Sequence, residues 1–514
     1  MTYRNFAVAP VAGLIALALW PGVSAQQAGS VPGWRALLAD TTGPAIDRGL
    51  REHDPPREPR TAASDQAGAR QEPFLRGSLI VKFRGGTSMP ARAAILGRID
   101  AARTQALSYS DFDIVTIDPQ ADPEEAARTL DAQPDVEYAQ ARYRLHPMFV
   151  PNDPLYARQW NLSTLDMERA WDLNPGATSR VTVAVLDSGI AYRNTVVRFV
   201  GTAWRSEARV LFPALGAVDV PFAAAPDLGG PDRYVSPRDF IWSDTSPLDL
   251  DGHGTHVAGT IGQLTNNNLG TAGMAFNVRI MPVKVIDSQW DAIFDSPFEG
   301  TDDVVARGVR YAVDNGAKVL NMSIGRNGGP APVLQAAIAY AVNQGAFVVA
   351  SGGNEFQRGN PIERLAEFAP QIQGMVAVGA IGPDRRRAYY STSAPYIELV
   401  APGGNQQSGG TGGGVLQQTF DLDLVDTYLS GPGRYRAPRF DAFAYQFFQG
   451  TSMAAPHVAG FAALLIQQGI TSPAAIEVAM ERYATDLGTP GRDNEYGYGL
   501  INPRAALRGM GLAK

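Results

Sequence analysis

Residues 153–514 predict an α/β fold, a doubly wound and mainly parallel sheet with helices on both faces, and a small α+β ferredoxin-like module precedes it over 77–144. Three observations carry this expectation. Val181 to Leu186 is an almost unbroken apolar, β-branched run, as a strand buried on both faces requires. Helical patterns at His253 to Leu264, Thr301 to Asn315, Ala331 to Asn343 and Ser452 to Gln467 alternate with strand patterns at Ile280 to Val285, Lys318 to Met322, Ala346 to Ala350 and Met375 to Ala380. Upstream, segments follow the order β, α, β, β, α, β.

The elements take their places in chain order. Residues 1–25 have the three parts of a secretory signal: Arg4, an apolar run from Phe6 to Trp20, and Val23-Ser24-Ala25 before Gln26. That run, broken by Pro10, is shorter than the roughly 20 apolar residues that span a bilayer. Export with cleavage after Ala25 is therefore expected, without a stable membrane anchor. Residues 26–76 lack periodicity and read as a flexible spacer. In the module, Leu79 to Phe83 reads as a strand, Ala91 to Ile99 as a helix, Thr104 to Ser108 and Phe112 to Ile117 as strands, Pro123 to Ala132 as a helix capped by Asp122, and Val136 to Ala139 as the last strand. Residues 145–152 form a proline-punctuated linker.

Composition removes several classes of function. A net charge of −7 gives no footprint for nucleic acid. The absence of cysteine excludes disulfides, thiolate nucleophiles and cysteine-held zinc.

Chemistry points to four residues. Ser452 opens a helix of small residues in Gly450-Thr451-Ser452-Met453-Ala454-Ala455-Pro456-His457; a serine there needs a base and oxyanion donors. The tetrapeptide Gly86-Thr87-Ser88-Met89 repeats the opening of this stretch but continues into Pro90, so the four letters alone prove little. Asp187 ends the apolar strand, where an acidic group is costly without a partner. His253, flanked by glycines at a helix start, suits a general base, whereas His256 and His457 suit packing. Asn354 follows Gly352-Gly353 in a turn and offers a side-chain amide beside the backbone N–H of Ser452.

Together these stretches resemble the subtilisin-like serine proteases. Asp187, His253 and Ser452 stand in that family's order, within Val-Leu-Asp-Ser-Gly, His-Gly-Thr-His-Val-Ala-Gly-Thr and Gly-Thr-Ser-Met-Ala-Ala-Pro-His-Val-Ala-Gly. The resemblance implies that Asp187 orients His253, His253 is the base, Ser452 the nucleophile and Asn354 the oxyanion donor. It implies that 77–144 is an inhibitory propeptide, removed by self-cleavage in the linker between about Tyr143 and Asn152. Protein and peptide substrates would lie as an added strand beside Ser323, Ile324 and Gly325, with Ser351, Gly352 and Gly353 as a second wall. The pocket floor is expected near Glu367 to Pro370; Glu367 turned inward would favour a basic residue, and turned outward an apolar one, the preference adopted.

Two departures from the pattern stand out. The family's Pro-Asp-Leu soon after the aspartate is delayed to Pro226-Asp227-Leu228, so about thirty residues, Val196 to Ala225, read as an inserted surface flap. By the resemblance, Asp153, Asp227 and the loop residues Leu264, Asn267, Leu269 and Thr271 could hold a structural calcium, although the asparagines at 266–268 equally suit an ordinary turn. A second insertion over 404–441, with the glycine run Gly409 to Gly414 broken only by Thr411, reads as a mobile loop. No catalytic metal or organic cofactor is expected, and a monomer is. Two other functions fit less well. A non-catalytic peptide-binding protein would not need all four residues, and an esterase would show Gly-x-Ser-x-Gly with the serine first.

Overall fold

The computed structural model describes residues 74–106, 109–143, 149–205, 211–427 and 435–509. The expected signal segment, nearly all of the spacer and half of the 145–152 linker lie outside the described residues.

Residues 74–143 form a four-stranded antiparallel sheet in the order Arg103–Ala106, Asp113–Thr116, Phe74–Phe83, Val136–Tyr143, with helices Met89–Leu96 and Pro123–Asp131. The predicted element order holds. Leu79, Val81, Val115, Leu130 and Val136 make its own small core. Asp122 caps the second helix, accepting from the N–H of Glu124 at 2.9 Å and Glu125 at 3.4 Å. The bounds differ from the expectation, most clearly where the first strand begins already at Phe74, the first helix begins at Met89 and the last strand runs on to Tyr143. The serine of the Gly86 tetrapeptide is thereby an N-cap, Ser88 Oγ accepting from Ala91 N at 3.4 Å. Its oxygen is spent on closing its own helix.

The larger part is built on a seven-stranded sheet in the order Arg238–Asp239, Arg279–Lys284, Thr182–Asp187, Val319–Met322, Phe347–Ser351, Met375–Ile381, Leu399–Pro402, parallel throughout and flanked by helices. The five inner strands match the apolar runs. The two edges were not foreseen, one being two residues long and the other ending in proline. Helix Thr451–Gln467 is buried around nearly its whole circumference and crosses strands Val319–Met322, Phe347–Ser351 and Met375–Ile381. A helix made of Ala, Gly, Val and Leu on every face belongs in such a place, because small side chains let strands and helix approach closely.

Both insertions contribute to the core. In the first, Thr195–Gly201 pairs with Gly216–Phe222; Phe199, Val220 and Phe222 are buried while Val196 and Val200 are exposed, the alternation of a half-buried hairpin. The second corrects the expectation of a mobile loop. Val415–Phe420 is a fully buried strand paired with Phe443–Phe448, and the glycine run upstream folds into two short helical turns, Gln406–Gly409 and Thr411–Gly413. The insertions also meet: Phe222 stacks on Phe440 with centroids 5.0 Å apart, and Phe440 exchanges backbone hydrogen bonds with Pro221 and Ala223.

Candidate active site

The carboxyl edge of the parallel sheet and two helix starts bring the predicted residues together. Asp187 is the last residue of its strand and wholly buried. Its Oδ1 accepts from the Ser188 N–H at 2.8 Å and lies 2.7 Å from His253 Nδ1. An ionised carboxylate can only accept, so the proton of a neutral imidazole is held on Nδ1 and Nε2 is left as the basic nitrogen. Burial pulls the His253 pKa down, but the charge and hydrogen bond of Asp187 outweigh it, and Asp251 and Asp249 add to them, pushing it up to about 9.

The contact depends on a glycine. Helix His253–Gly262 closes on the aspartate turn at Gly254, where a Cβ would overlap the Gly189 carbonyl oxygen and press on the Asp187 side chain. Sequence reasoning did not single out Asp249, which organises this junction. Buried, it accepts from Ser188 Oγ (2.9 Å), Gly252 N (2.9 Å), Asp251 N (3.0 Å), Thr255 N (3.0 Å) and Thr255 Oγ1 (2.6 Å). The Asp-x-Asp spacing before His253 was the available signal.

Ser452 is the second residue of its helix. Its hydroxyl donates to the Ser323 carbonyl at 3.0 Å and not to His253, while Ser323 Oγ donates back to the Ser452 carbonyl at 2.7 Å. The second bond has a cause in the sequence. Pro456, four residues on, has no N–H to give that carbonyl, so the orphaned acceptor turns to Ser323.

Asn354 is exposed, yet its orientation is fixed. Its Oδ1 accepts from Thr451 N at 2.8 Å and Thr451 Oγ1 at 2.9 Å, which commits the amide oxygen inward and leaves Nδ2 as the outward donor. Thr451, wholly buried, also has Gly353 N within 3.2 Å of its Oγ1. It was not named as a site residue, although it lies inside the serine motif.

Among the described residues, the other two histidines are structural. His457 Nδ1 bonds the Met453 carbonyl at 2.8 Å and Nε2 meets Asn161 Nδ2 at 2.9 Å; burial pulls its pKa down to about 4. His256 stacks on Phe448 with centroids 4.4 Å apart, and burial lowers it to about 3.

Ser323, Ile324 and Gly325 leave the end of one strand and Ser351, Gly352 and Gly353 the end of its parallel neighbour. The groups approach where Ser351 Oγ donates to the Ile324 carbonyl at 3.3 Å. The acid beside this gap is Glu363. A Cβ at Gly325 would overlap the Glu363 carboxyl, which accepts from Arg326 N at 2.5 Å and which burial raises to about 7. Glu367, the residue expected there, instead pairs with Arg364 at 2.9 Å.

Asp153, Asp227 and the 264–271 loop also converge. Asp153 accepts from Asn266 N (2.7 Å) and Asn267 N (3.3 Å); Asp227 accepts from Asn267 Nδ2 (2.8 Å), Thr271 N (3.1 Å) and Tyr445 OH (3.2 Å). Leu264 N donates to the Asp227 carbonyl at 2.9 Å and Leu269 N to Asn267 Oδ1 at 2.9 Å. Burial raises the Asp227 carboxyl to about 6 against these donors. A buried carboxylate, a second one and an amide on one loop form the oxygen-rich donor set that a hard cation takes. The residues present fit a calcium ion.

Comparison with known proteins accords with this geometry. The model described as "Subtilase family" matches residues 178–499, and that described as "Fervidolysin N-terminal prodomain" matches 60–141, starting upstream of the boundary expected at 77. Thermitase from Thermoactinomyces vulgaris is 30% identical over 361 residues, 70% of this chain and 100% of its own length. A thermophilic serine proteinase from a Bacillus species is 28% identical over 459 residues, 88% of this chain and 93% of its own. Among solved structures, a protease from Pseudoalteromonas arctica is similar with a TM-score of 0.52 at 28% identity, covering 70% of this chain and 99% of that one.

Proposed function

The chain belongs to the subtilase family and is a serine-type endopeptidase with an N-terminal prodomain, and from this premise we propose how it works. It is exported as a precursor, frees itself of the prodomain, and cleaves peptide bonds through Ser452, His253 and Asp187, with Asn354 as oxyanion donor. The observation that carries this reading is the 2.7 Å pair of His253 Nδ1 and Asp187 Oδ1 at the carboxyl end of one strand, whose parallel neighbour leads into Ser323, the residue that Ser452 bonds.

The steps follow from the residues. Substrate binding draws the Ser452 hydroxyl off the Ser323 carbonyl and towards His253 Nε2, which takes its proton as Oγ attacks the peptide carbonyl. Asp187 stabilises the imidazolium that forms. The oxyanion is met by Asn354 Nδ2 and the Ser452 N–H at the positive end of its helix. His253 then gives its proton to the leaving amine, and water releases the acyl group from Ser452 by the reverse path. The peptide lies along Ser323, Ile324 and Gly325, where main-chain bonds bind without regard to sequence. A calcium ion held by Asp153, Asp227, Asn267 and the carbonyls of Leu264, Leu269 and Thr271 would neutralise two carboxylates and fix the loop. It would take no part in the chemistry.

The test is Ser452→Ala in a host that lacks other proteases. Full-length precursor should accumulate, and N-terminal sequencing of secreted wild-type protein should find a start between about Tyr143 and Asn152. Normal processing of the variant would sink self-cleavage, and casein hydrolysis by it would sink the assignment of Ser452.

A further inference from the structure

At the opposite end of the edge strand from its active-site loops, three glutamates converge. Glu398 immediately precedes strand Leu399–Pro402, and Glu477 and Glu481 stand one turn apart on helix Pro473–Tyr483. One carboxylate oxygen from each lies within 4.8 Å of the others. Glu398 and Glu477 are buried and Glu481 is half-buried.

Three like charges in such a space repel, and an i, i+4 pair of glutamates on one helix adds to the cost. The local partners do not offset it. Glu398 is 4% exposed and its Oε2 has no hydrogen-bond partner. Glu477 Oε2 accepts from Gly374 N. The guanidinium of Arg492, which opposes the rise of Glu398 and Glu481, donates to the carbonyls of Pro395 at 2.5 Å and Ile397 at 3.3 Å and lies over the Tyr498 ring.

We propose that Glu398, Glu477 and Glu481 form a second divalent-cation site, suited to calcium, that ties the last strand of the sheet to the C-terminal helix. Oxygens bound to one calcium ion at about 2.4 Å stand at most about 4.8 Å apart, and one oxygen of each of the three glutamates lies within 4.8 Å of the others. The unpartnered Glu398 oxygen is the one such a cation would take up. Burial raises all three carboxyls, and repulsion from neighbouring glutamates adds to it at Glu398 and Glu477, which reach about 8 and about 7. The site is separate from the Asp153 and Asp227 loop, and neither needs the other.

Terbium titration of the full chain, inactivated as Ser452→Ala to prevent autolysis, tests this. Glu481, Glu398 and Glu477 all act on the Tyr498 hydroxyl, which makes this tyrosine the expected sensitiser of terbium emission. On an Asp227→Asn background, which removes emission sensitised by Tyr445 at the other loop, tyrosine-excited emission and one equivalent of bound calcium should be lost in Glu481→Gln, whose half-exposed position tolerates the amide, and in Glu398→Gln. Both should persist in Asp227→Asn. Unchanged stoichiometry and emission in folded Glu481→Gln and Glu398→Gln would overturn the proposal. So would a gain of thermal stability in either variant that is the same with calcium and with chelator, because the cluster would then be a proton-sharing one.

Discussion

Replacing Asn354 by alanine should lower kcat about a hundred- to a thousandfold, about 2.7–4 kcal/mol, the range measured for the corresponding donor in a family member. The structure says why the loss should fall on kcat. Asn354 Oδ1 is held by two donors of Thr451, at 2.8 and 2.9 Å, so its Nδ2 is aimed before substrate arrives and costs no reorganisation when the oxyanion forms. Asn354→Asp keeps the shape and the anchored oxygen but turns an acceptor and a charge towards the oxyanion; it should be at least as damaging as alanine. Thr451→Val removes one of two anchors, the weaker perturbation. At about 1 kcal/mol for a neutral hydrogen bond, kcat should fall about fivefold. The assay is steady-state hydrolysis of a soluble peptide anilide by protein matured in trans. A raised KM with unchanged kcat in Asn354→Ala would refute the reasoning, because the amide would then bind the ground state as strongly as the transition state.

The remaining predictions concern charge. His253 works only when neutral, and its pKa is raised to about 9, so the acid limb of kcat/KM should lie above the ordinary histidine value of about 6.5 and shift down in any active residue of Asp187→Asn. Its pair with Asp187 stabilises the fold fully below about 6.5 and loses that contribution as pH rises through 9, so activity and this part of stability move in opposite directions. Asp227 has a raised carboxyl, about 6, so it binds its proton more tightly folded than unfolded; in chelator its contribution to stability should fall as pH rises from about 4 through 6. The calcium-dependent rise in Tm should therefore grow over the same interval and shrink in Asp227→Asn; a rise independent of pH would refute it. Glu363→Gln should shift the residue preferred before the cleaved bond away from basic side chains in a peptide-library profile, and an unchanged profile would remove Glu363 from the pocket.

The parts of the fold that were legible are those in which burial leaves a repeating mark. A strand covered on both faces must be apolar at every position, and Val183 to Leu186, Val319 to Leu320 and Phe347 to Ala350 are. The second ribbon was taken for a mobile loop on its glycine run, and its buried strand carries Gln417-Gln418-Thr419, a polar triplet that leaves no apolar mark against that reading. Each of the three is buried with a specific partner: Gln417 with Thr271 and Ala272, Gln418 with Asp227, Thr419 with the Gly252 carbonyl at 2.6 Å. Such pairings are long-range, and no local pattern announces them. Glu363 was missed for a similar reason. Between Asn354 and Met375 the chain has no regular strand or α-helix, so distance along the sequence cannot say which acid meets Gly325. Asp187, His253, Ser452 and Asn354 were readable because each sits in a motif whose glycines and small residues are dictated by close approach, as Gly254 is by the Gly189 carbonyl.

The triplet gives the second ribbon a mechanical role. The residue it grips most directly, Gly252, has φ +105 and immediately precedes His253, and a Cβ there would fall 2.7 Å from Thr419 Oγ1. The glycine and the threonine therefore specify each other. On the same strand Gln418 takes the Asp227 N–H and Gln417 takes the Thr271 hydroxyl, so three consecutive residues hold both the loop proposed to bind calcium and the turn that delivers His253. In a strand successive side chains alternate faces, so Gln417 and Thr419 point to one side and Gln418 to the other. The ribbon then needs polar residues on both faces, at the cost of an apolar pattern, and each polar group must find its partner because an unpaired one would cost about 1–3 kcal/mol. The order of that loop and the position of the base are thereby coupled through the side chains of one strand. Loosening the loop would misplace His253 while leaving its bond to Asp187 intact.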